Sequence, residues 1–309
     1  MFKPEYSPHD CTVHKCVASF EEKNWYGQMQ PMGFQNPIEN LSAIILKNDT
    51  DKRVSRKFWR DYVRPSVPFH SKNHFQVSPM WKDDSLIDKN VGGHFAIVEE
   101  NNRIIHDHRE PFWVDWNISL FLKRYMKKQW HNQLYCITPI DARFEPFLPK
   151  LNIFKCPEMQ KSITEKRLWM SAGNTTSSLH FDTHDVINLQ MYGTKEWFLY
   201  EPKIAHHTYM DHHTRYGLSP INTDRVDLRR FPRFGEVVPK RVEMNPGDIL
   251  FVPAMWWHVV STYHGKNIGV TYEFTHEMHT IHQDAHAHSD ALIAAHDYLK
   301  KKRRKSINC

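Results

Sequence analysis

The sequence predicts a mainly β fold, a barrel or sandwich of short strands with surrounding helices and one further helix at the C-terminus. Three observations carry this. From about residue 167 to 274, short segments rich in Val, Ile, Phe, Tyr and Trp recur, bounded by Gly, Pro and Asn. Before them the periodicity is mixed. After them, apolar residues recur at alternating steps of four and three, which is one face of a helix.

Taken in order, residues 1–57 are punctuated by Pro and hold one strand-like run, Ala43-Ile44-Ile45-Leu46. A helical patch follows at Lys57 to Val63 and is ended by Pro65 and Pro68. His94 to Val98 reads as a strand, Ile118 to Met126 as an amphipathic helix, and Leu134 to Ile137 as a short strand. The β-rich half comprises Arg167–Ser171, Val186–Tyr192, Glu196–Tyr200, Asp248–Val252, His258–Tyr263 and Ile268–Phe274. Gly193 and Gly247 stand at turns just before strands. Residues 203–240 are too long and polar for a hairpin loop and are expected to hold short helices of their own. Ile281, Ala285, His288, Leu292, Ala295 and Leu299 form the C-terminal seam. That helix is expected to pack on its own barrel, with a homodimer through it as the alternative.

Composition narrows the class. The chain has 309 residues, 40% of them apolar and 13% aromatic, enough to bury a large core without disulfides. Net charge is +6, and the run Lys300 to Lys305 alone supplies that excess. Such a run is either a solvated tail or a nuclear address and weak nucleic-acid patch. The five cysteines lack the spacing of a disulfide framework, so free thiols are expected, and Cys11 and Cys16 are a weak zinc candidate. Nothing is long and apolar enough to span a membrane, and the N-terminus has no signal-peptide core. A cytoplasmic or nuclear location is expected. The sequons at Asn40, Asn48, Asn117 and Asn174 keep secretion as the lesser option.

The chemistry-bearing triplet is His180-Phe181-Asp182. On a strand, residues i and i+2 point the same way, so His-x-Asp aims two ligands at one point. Two His and one carboxylate leave three positions open on an iron octahedron. The triplet alone is weak, because a histidine-rich chain repeats it at His282-x-Asp284 and His288-x-Asp290. Those fall in the helical C-terminus, where i and i+2 diverge by about 200°. The other His-rich places, His206-His207, His212-His213 and the run from His276 to His296, are expected to be solvated.

The surroundings of His180 are specific. Leu168-Trp169-Met170-Ser171-Ala172-Gly173 leads to the triplet, and Asn188-Leu189-Gln190-Met191-Tyr192-Gly193-Thr194-Lys195-Glu196-Trp197 follows it. Downstream come Asp227-Leu228-Arg229-Arg230-Phe231-Pro232 and Asn245-Pro246-Gly247-Asp248 to Pro253-Ala254-Met255-Trp256-Trp257-His258. Together with Phe58-Trp59-Arg60-Asp61-Tyr62-Val63-Arg64-Pro65, this strongly resembles the JmjC/cupin family of Fe(II)- and 2-oxoglutarate-dependent oxygenases. The likeness is to its small hydroxylase branch, which includes the factor-inhibiting asparaginyl hydroxylase, small JmjC lysyl hydroxylases and the wybutosine hydroxylase.

The resemblance implies a double-stranded β-helix (jelly-roll/cupin) barrel over residues 58–275. Residues 1–57 would be an extension packed on or flanking it, and 276–309 the C-terminal helix and basic tail. It implies iron ligands at His180, Asp182 and His258, and Lys195 on the distal carboxylate of 2-oxoglutarate, where a lone cation inside an apolar barrel needs an anion. Ser177 and Tyr135 match positions that hydrogen-bond that carboxylate. Val186 stands where many members carry Asn, and Thr271 and Glu273 stand on the last strand where polar residues or Asn are usual. Trp256 and Trp257 read as packing at the core and barrel rim.

The expected activity is hydroxylation of a protein side chain, consuming O₂ and 2-oxoglutarate. JmjC lysine demethylation and hydroxylation of a tRNA base are the rivals, with RNA as partner in the latter. A cupin that only binds a partner through its C-terminal helix is the alternative of another class.

Overall fold

The computed structural model describes residues 28–30, 38–44, 53–100, 112–127, 134–212, 217–262, 265–274 and 288–303. Ahead of the β-rich half lie strands β1 (Gln28–Gln30), β2 (Glu39–Asn40), β3 (Ala43–Ile44), β4 (Phe69–Ser71), β5 (Phe95–Glu100), β6 (Phe112–Asn117) and β7 (Leu134–Pro139). The first turns of the barrel are β8 (Ile163–Ser171), β9 (His180–Phe181), β10 (Asp185–Tyr192) and β11 (Lys195–Tyr200). After β12 (Val226–Asp227) it closes with β13 (Lys240–Met244), β14 (Ile249–Val252), β15 (Trp257–Thr262) and β16 (Asn267–Phe274).

Two sheets face each other. In one, β14, β10, β16 and β8 lie side by side and antiparallel. In the other the order is β13, β11, β15, β9, again antiparallel. Together they make the jelly roll of a cupin. The first sheet is widened by β3 and β4 beyond β14, and by β7, β5 and β6 beyond β8. β2 adds to β13 in parallel, so described parts of the N-terminal segment extend both sheets.

The tight β10–β11 connection depends on Gly193. Its φ is 71°, and a Cβ there would meet the Lys266 carbonyl at 2.5 Å. This turn brings Lys195 onto the inner face directly after β10.

Each central strand is buried on both faces. On β10, Ile187 and Leu189 point away from the barrel into an aromatic core, while Val186 and Asn188 point inward. That outer core is covered by helices Arg53–Phe58, Asp84–Val91 and Ile118–Arg124. Asp83 and Asn117 cap the last two, accepting from the amides of Ser85 and Leu120 at 2.8 Å each. Phe58 is the hub, edge-on to Phe251 at 5.2 Å and to Phe69 at 5.6 Å.

The expected elements are all present among the described residues, with boundaries moved by a few positions. Segment 203–240 holds short 3₁₀ helices at Pro202–His207, Met210–His212 and Pro232–Glu236. The C-terminal helix is Ser289–Lys302, and Leu292, Ala295 and Leu299 bury one face against the chain's own barrel. Ile281, Ala285 and His282-x-Asp284 lie outside the described residues.

Three details depart from the sequence reading. His288 is a cap and not part of the seam, because its Nδ1 accepts the Ala291 amide at 3.2 Å. Arg303, counted with the solvated tail, is buried against Asp185. Cys136 is a buried free thiol, but Cys156 takes part in a disulfide, against the expectation of free thiols. No helix among the described residues is long and apolar enough to cross a membrane.

Replacing Phe58 by Ala removes a ring packed on several others and should lower stability by about 3–5 kcal/mol. Urea unfolding followed by near-UV circular dichroism measures it. Tyr298→Ala, on the exposed side of the last helix, should change little.

Candidate functional site

His180, Asp182 and His258 are the one group of three metal-type ligands found among the described residues, and their ligand atoms all lie within 4.8 Å of one another. Strand pairing produces this. β9 pairs with β15 so that His180 lies opposite His258, and the rings stand 4.1 Å apart. Asp182 follows β9 directly, its Oδ2 3.5 Å from His258 Nε2.

Both imidazoles are oriented by the backbone two residues earlier. His180 Nδ1 lies 2.7 Å from the Ser178 carbonyl, and His258 Nδ1 lies 3.0 Å from that of Trp256. A carbonyl can only accept, so Nδ1 carries the proton in each ring and Nε2 keeps its lone pair for a metal. Burial, then the neighbouring His180, pushes the His258 pKa down to about 4. His258 is therefore neutral at physiological pH, as a ligand must be. Two imidazoles and one half-exposed carboxylate are the donor set of a non-haem Fe(II) site.

The triad lies in the wall of a cavity of about 420 Å³ between the two sheets. The same cavity is lined by Lys195, Ser177, Tyr135 and Thr271. Lys195 is 6% exposed, and burial alone lowers its pKa from 10.5 to about 8. No described residue neutralises it. Gly269 on β16 makes room for it, since a Cβ there would lie 2.8 Å from Lys195 Nζ.

Hydroxyls surround the remaining space. Ser177 Oγ accepts the Val260 amide at 2.9 Å, and Thr271 Oγ1 accepts the Trp169 indole N–H at 2.9 Å. Each keeps its own proton for an acceptor in the cavity. Burial, then Glu99, raises the Tyr135 pKa, so its phenol stays a neutral donor. Val186 leaves an apolar wall, but Asn188, two residues on and on the same face, presents a buried amide nitrogen with no partner among the described residues. At the Asp182 end, Arg167 pairs with Glu165 at 2.5 Å and with Glu273 at 3.2 Å. Burial, against the opposing pull of Arg167, pushes Glu273 up to about 7.

This barrel matches a known family. Residues 55–280 match the model of the cupin-like domain. The chain belongs to the cupin-like family. Its JmjC character appears in the relatives. Lysine-specific demethylase JMJ30 of Arabidopsis thaliana is 22% identical over 248 residues, 72% of this chain and 56% of that protein. HSPB1-associated protein 1 of Bos taurus is 32% identical over 102 residues, 32% of this chain and 21% of that protein. Lysine-specific demethylase 8 of Xenopus tropicalis is 28% identical over 93 residues, 30% of this chain and 21% of that protein. The matched stretch is thus about a fifth of the length of two of these relatives and just over half of the third.

In this cupin-like chain the histidine pair at 206 and 207 is spent elsewhere, while His213 and residues 276–287 lie outside the described residues. His206 pairs with Asp290 at 3.0 Å, and His207 with Glu236 at 3.4 Å. Trp257 is fully buried edge-on to Phe181, and Trp256 is buried at the barrel rim. Sequence reasoning missed Gly269, Asn188 and Trp197, whose ring tilts over His258 at 5.7 Å. A glycine inside a strand pattern marks close approach of another group, which was the available signal for Gly269. The alternation Lys195, Trp197 on one inward face was the signal for Trp197.

The triad predicts one divalent-metal site. Mn(II) at a hundred times its Kd should stabilise the folded protein by about 2.7 kcal/mol, read as a rise in melting temperature. His180→Ala and Asp182→Ala should abolish that rise and leave the metal-free melting temperature within a few degrees.

Proposed function

We propose that this chain is an Fe(II)- and 2-oxoglutarate-dependent oxygenase that hydroxylates a side chain of a protein substrate. The observation that carries it is the buried, un-neutralised Lys195 ammonium in the cavity that also holds His180, Asp182 and His258. A cation so placed calls for an anion, and a dicarboxylate that also chelates the metal supplies one.

His180, Asp182 and His258 would hold the iron, which when bound couples oxidative decarboxylation of 2-oxoglutarate to insertion of oxygen into a C–H bond. The chain's residues bind and orient. Lys195 takes the distal carboxylate, with hydroxyl protons from Ser177, Thr271 and Tyr135 and the Asn188 amide as further donors. Val186, Val252 and Val260 keep water off the apolar wall. Asp182 marks the half-exposed end, where a substrate side chain enters past Arg167 and Glu273.

Removal of an N-methyl group is the second reading, favoured by relatives named as lysine-specific demethylases. The two chemistries part at the product, a stable gain of one oxygen against release of formaldehyde. Peptide arrays, methylated peptides and bulk tRNA, read by mass, sort the substrates.

Purified protein with Fe(II) and ascorbate should convert 2-oxoglutarate to succinate, slowly without substrate, and His180→Ala and Asp182→Ala should not. Equal succinate from wild type and both variants would place the iron elsewhere. Gly269→Ala should displace Lys195 and weaken 2-oxoglutarate binding about tenfold to a hundredfold, the size of one charge-assisted hydrogen bond.

The same lysine sets a pH dependence. Its folded pKa of about 8 lies below the ordinary 10.5, so the buried cation costs stability below pH 8. Without ligand, stability should rise through the window from 8 to 10.5. A bound dicarboxylate favours the protonated form, so 2-oxoglutarate affinity should be flat below pH 8 and fall above it. Calorimetric titration across that range checks the sign.

A further inference from the structure

The pair between Asp185 and Arg303 takes no part in the site as described, yet it joins the C-terminal helix to the metal centre. Asp185 stands three residues after Asp182, at the head of β10, and is 1% exposed. Arg303 follows the last helix directly and is 4% exposed. Its guanidinium donates to the Asp185 carboxylate and to the Val63 carbonyl, the latter at 3.1 Å. The other carboxylate oxygen of Asp185 accepts the Ala254 amide at 2.9 Å. The next amide, that of Met255, donates to the carbonyl of Asp182 at 2.7 Å.

A second path leaves the same helix seven residues, about two turns, earlier. His296 Nε2 and Ser66 Oγ are 2.9 Å apart, and the Ser66 carbonyl accepts the Trp256 indole N–H at 3.0 Å. The Trp256 carbonyl in turn accepts His258 Nδ1–H at 3.0 Å. Both paths pass through a strained residue, Met255 at φ 67° and Ser66 at φ 58°. Residues with a side chain stay in that region only where their surroundings over-determine them.

A buried ion pair is a poor source of stability compared with apolar groups of the same volume. Stability alone therefore does not explain an Arg and an Asp sealed behind the metal ligands. Geometry does. We propose that the C-terminal helix is a positioning element of the metal centre. Arg303 acts through Asp185 and the Ala254–Met255 turn, and His296 through Ser66 and Trp256, to hold Asp182 and His258 at ligand distance. This rests on the metal-site reading above.

The test is Mn(II) binding to the full chain, by electron paramagnetic resonance of free and bound ion, with melting temperature measured in parallel. Arg303→Met should fold and bind Mn(II) at least about tenfold more weakly, as loss of supporting contacts behind metal ligands does. Leu292→Ala, on the buried face of the same helix but outside both paths, should lower the melting temperature and leave Mn(II) affinity unchanged. Where Arg303→Met fails to fold, Arg303→Met/Asp185→Asn removes both buried charges and keeps an acceptor for Ala254. It should still lose affinity to a similar degree. A folded Arg303→Met, or double variant, that binds Mn(II) as wild type does overturns the proposal, as does an equal loss in Leu292→Ala. Wild-type protein that binds no Mn(II) overturns the metal-site reading and the positioning role with it.

Discussion

An ammonium group enclosed in a β-barrel, with no counter-charge among the described residues, is the constraint around which this molecule is arranged. Lys195 cannot reach bulk water, and its pKa has fallen accordingly. The barrel makes space for it with Gly269 on the facing strand rather than with a carboxylate. Retaining an unpaired buried charge is unfavourable in the ligand-free protein. Under the proposed function the charge becomes useful once a dicarboxylate occupies the cavity. The polarity of the inner face follows from it: hydroxyls and one amide are turned inward, where an apolar packing would have been the more stable choice.

The metal ligands obey a different rule. They come from β9, the turn after it, and β15, and the pairing of a two-residue strand sets the two histidines opposite each other. Each imidazole is held by a carbonyl two residues earlier in its own chain, which fixes tautomer and rotation locally. What local structure does not fix is the separation between the two segments. That separation depends on the loops before β10 and after β14, whose backbone bonds run through Asp185, Ala254 and Met255.

The relatives place these features in a family without naming a substrate for this chain. The region that matches the family model, residues 55–280, spans the barrel strands. Asp182, Arg167 and Glu273 line one end of the cavity, and Glu165 pairs with Arg167 beside it.

Much of this was legible in the linear chain. Short runs rich in Val, Ile, Phe, Tyr and Trp, bounded by Gly, Pro and Asn, marked β8, β10, β11, β14, β15 and β16, and glycines marked the turns at 193 and 247, because those signals are local. The His-x-Asp spacing marked two candidate ligands, since strand geometry makes i and i+2 neighbours, and the family resemblance of the downstream Trp-Trp-His marked the third. The sequence by itself determined the fold class and the candidate chemistry. Only the tertiary structure decided that Asn188 stands inward beside Val186, that Gly269 shelters Lys195, and that His288 caps a helix instead of joining its seam. It alone turned Arg303 from one more charge in a basic tail into the partner of Asp185. Those facts depend on residues up to 118 positions apart meeting in space, and no local period or propensity encodes such a meeting.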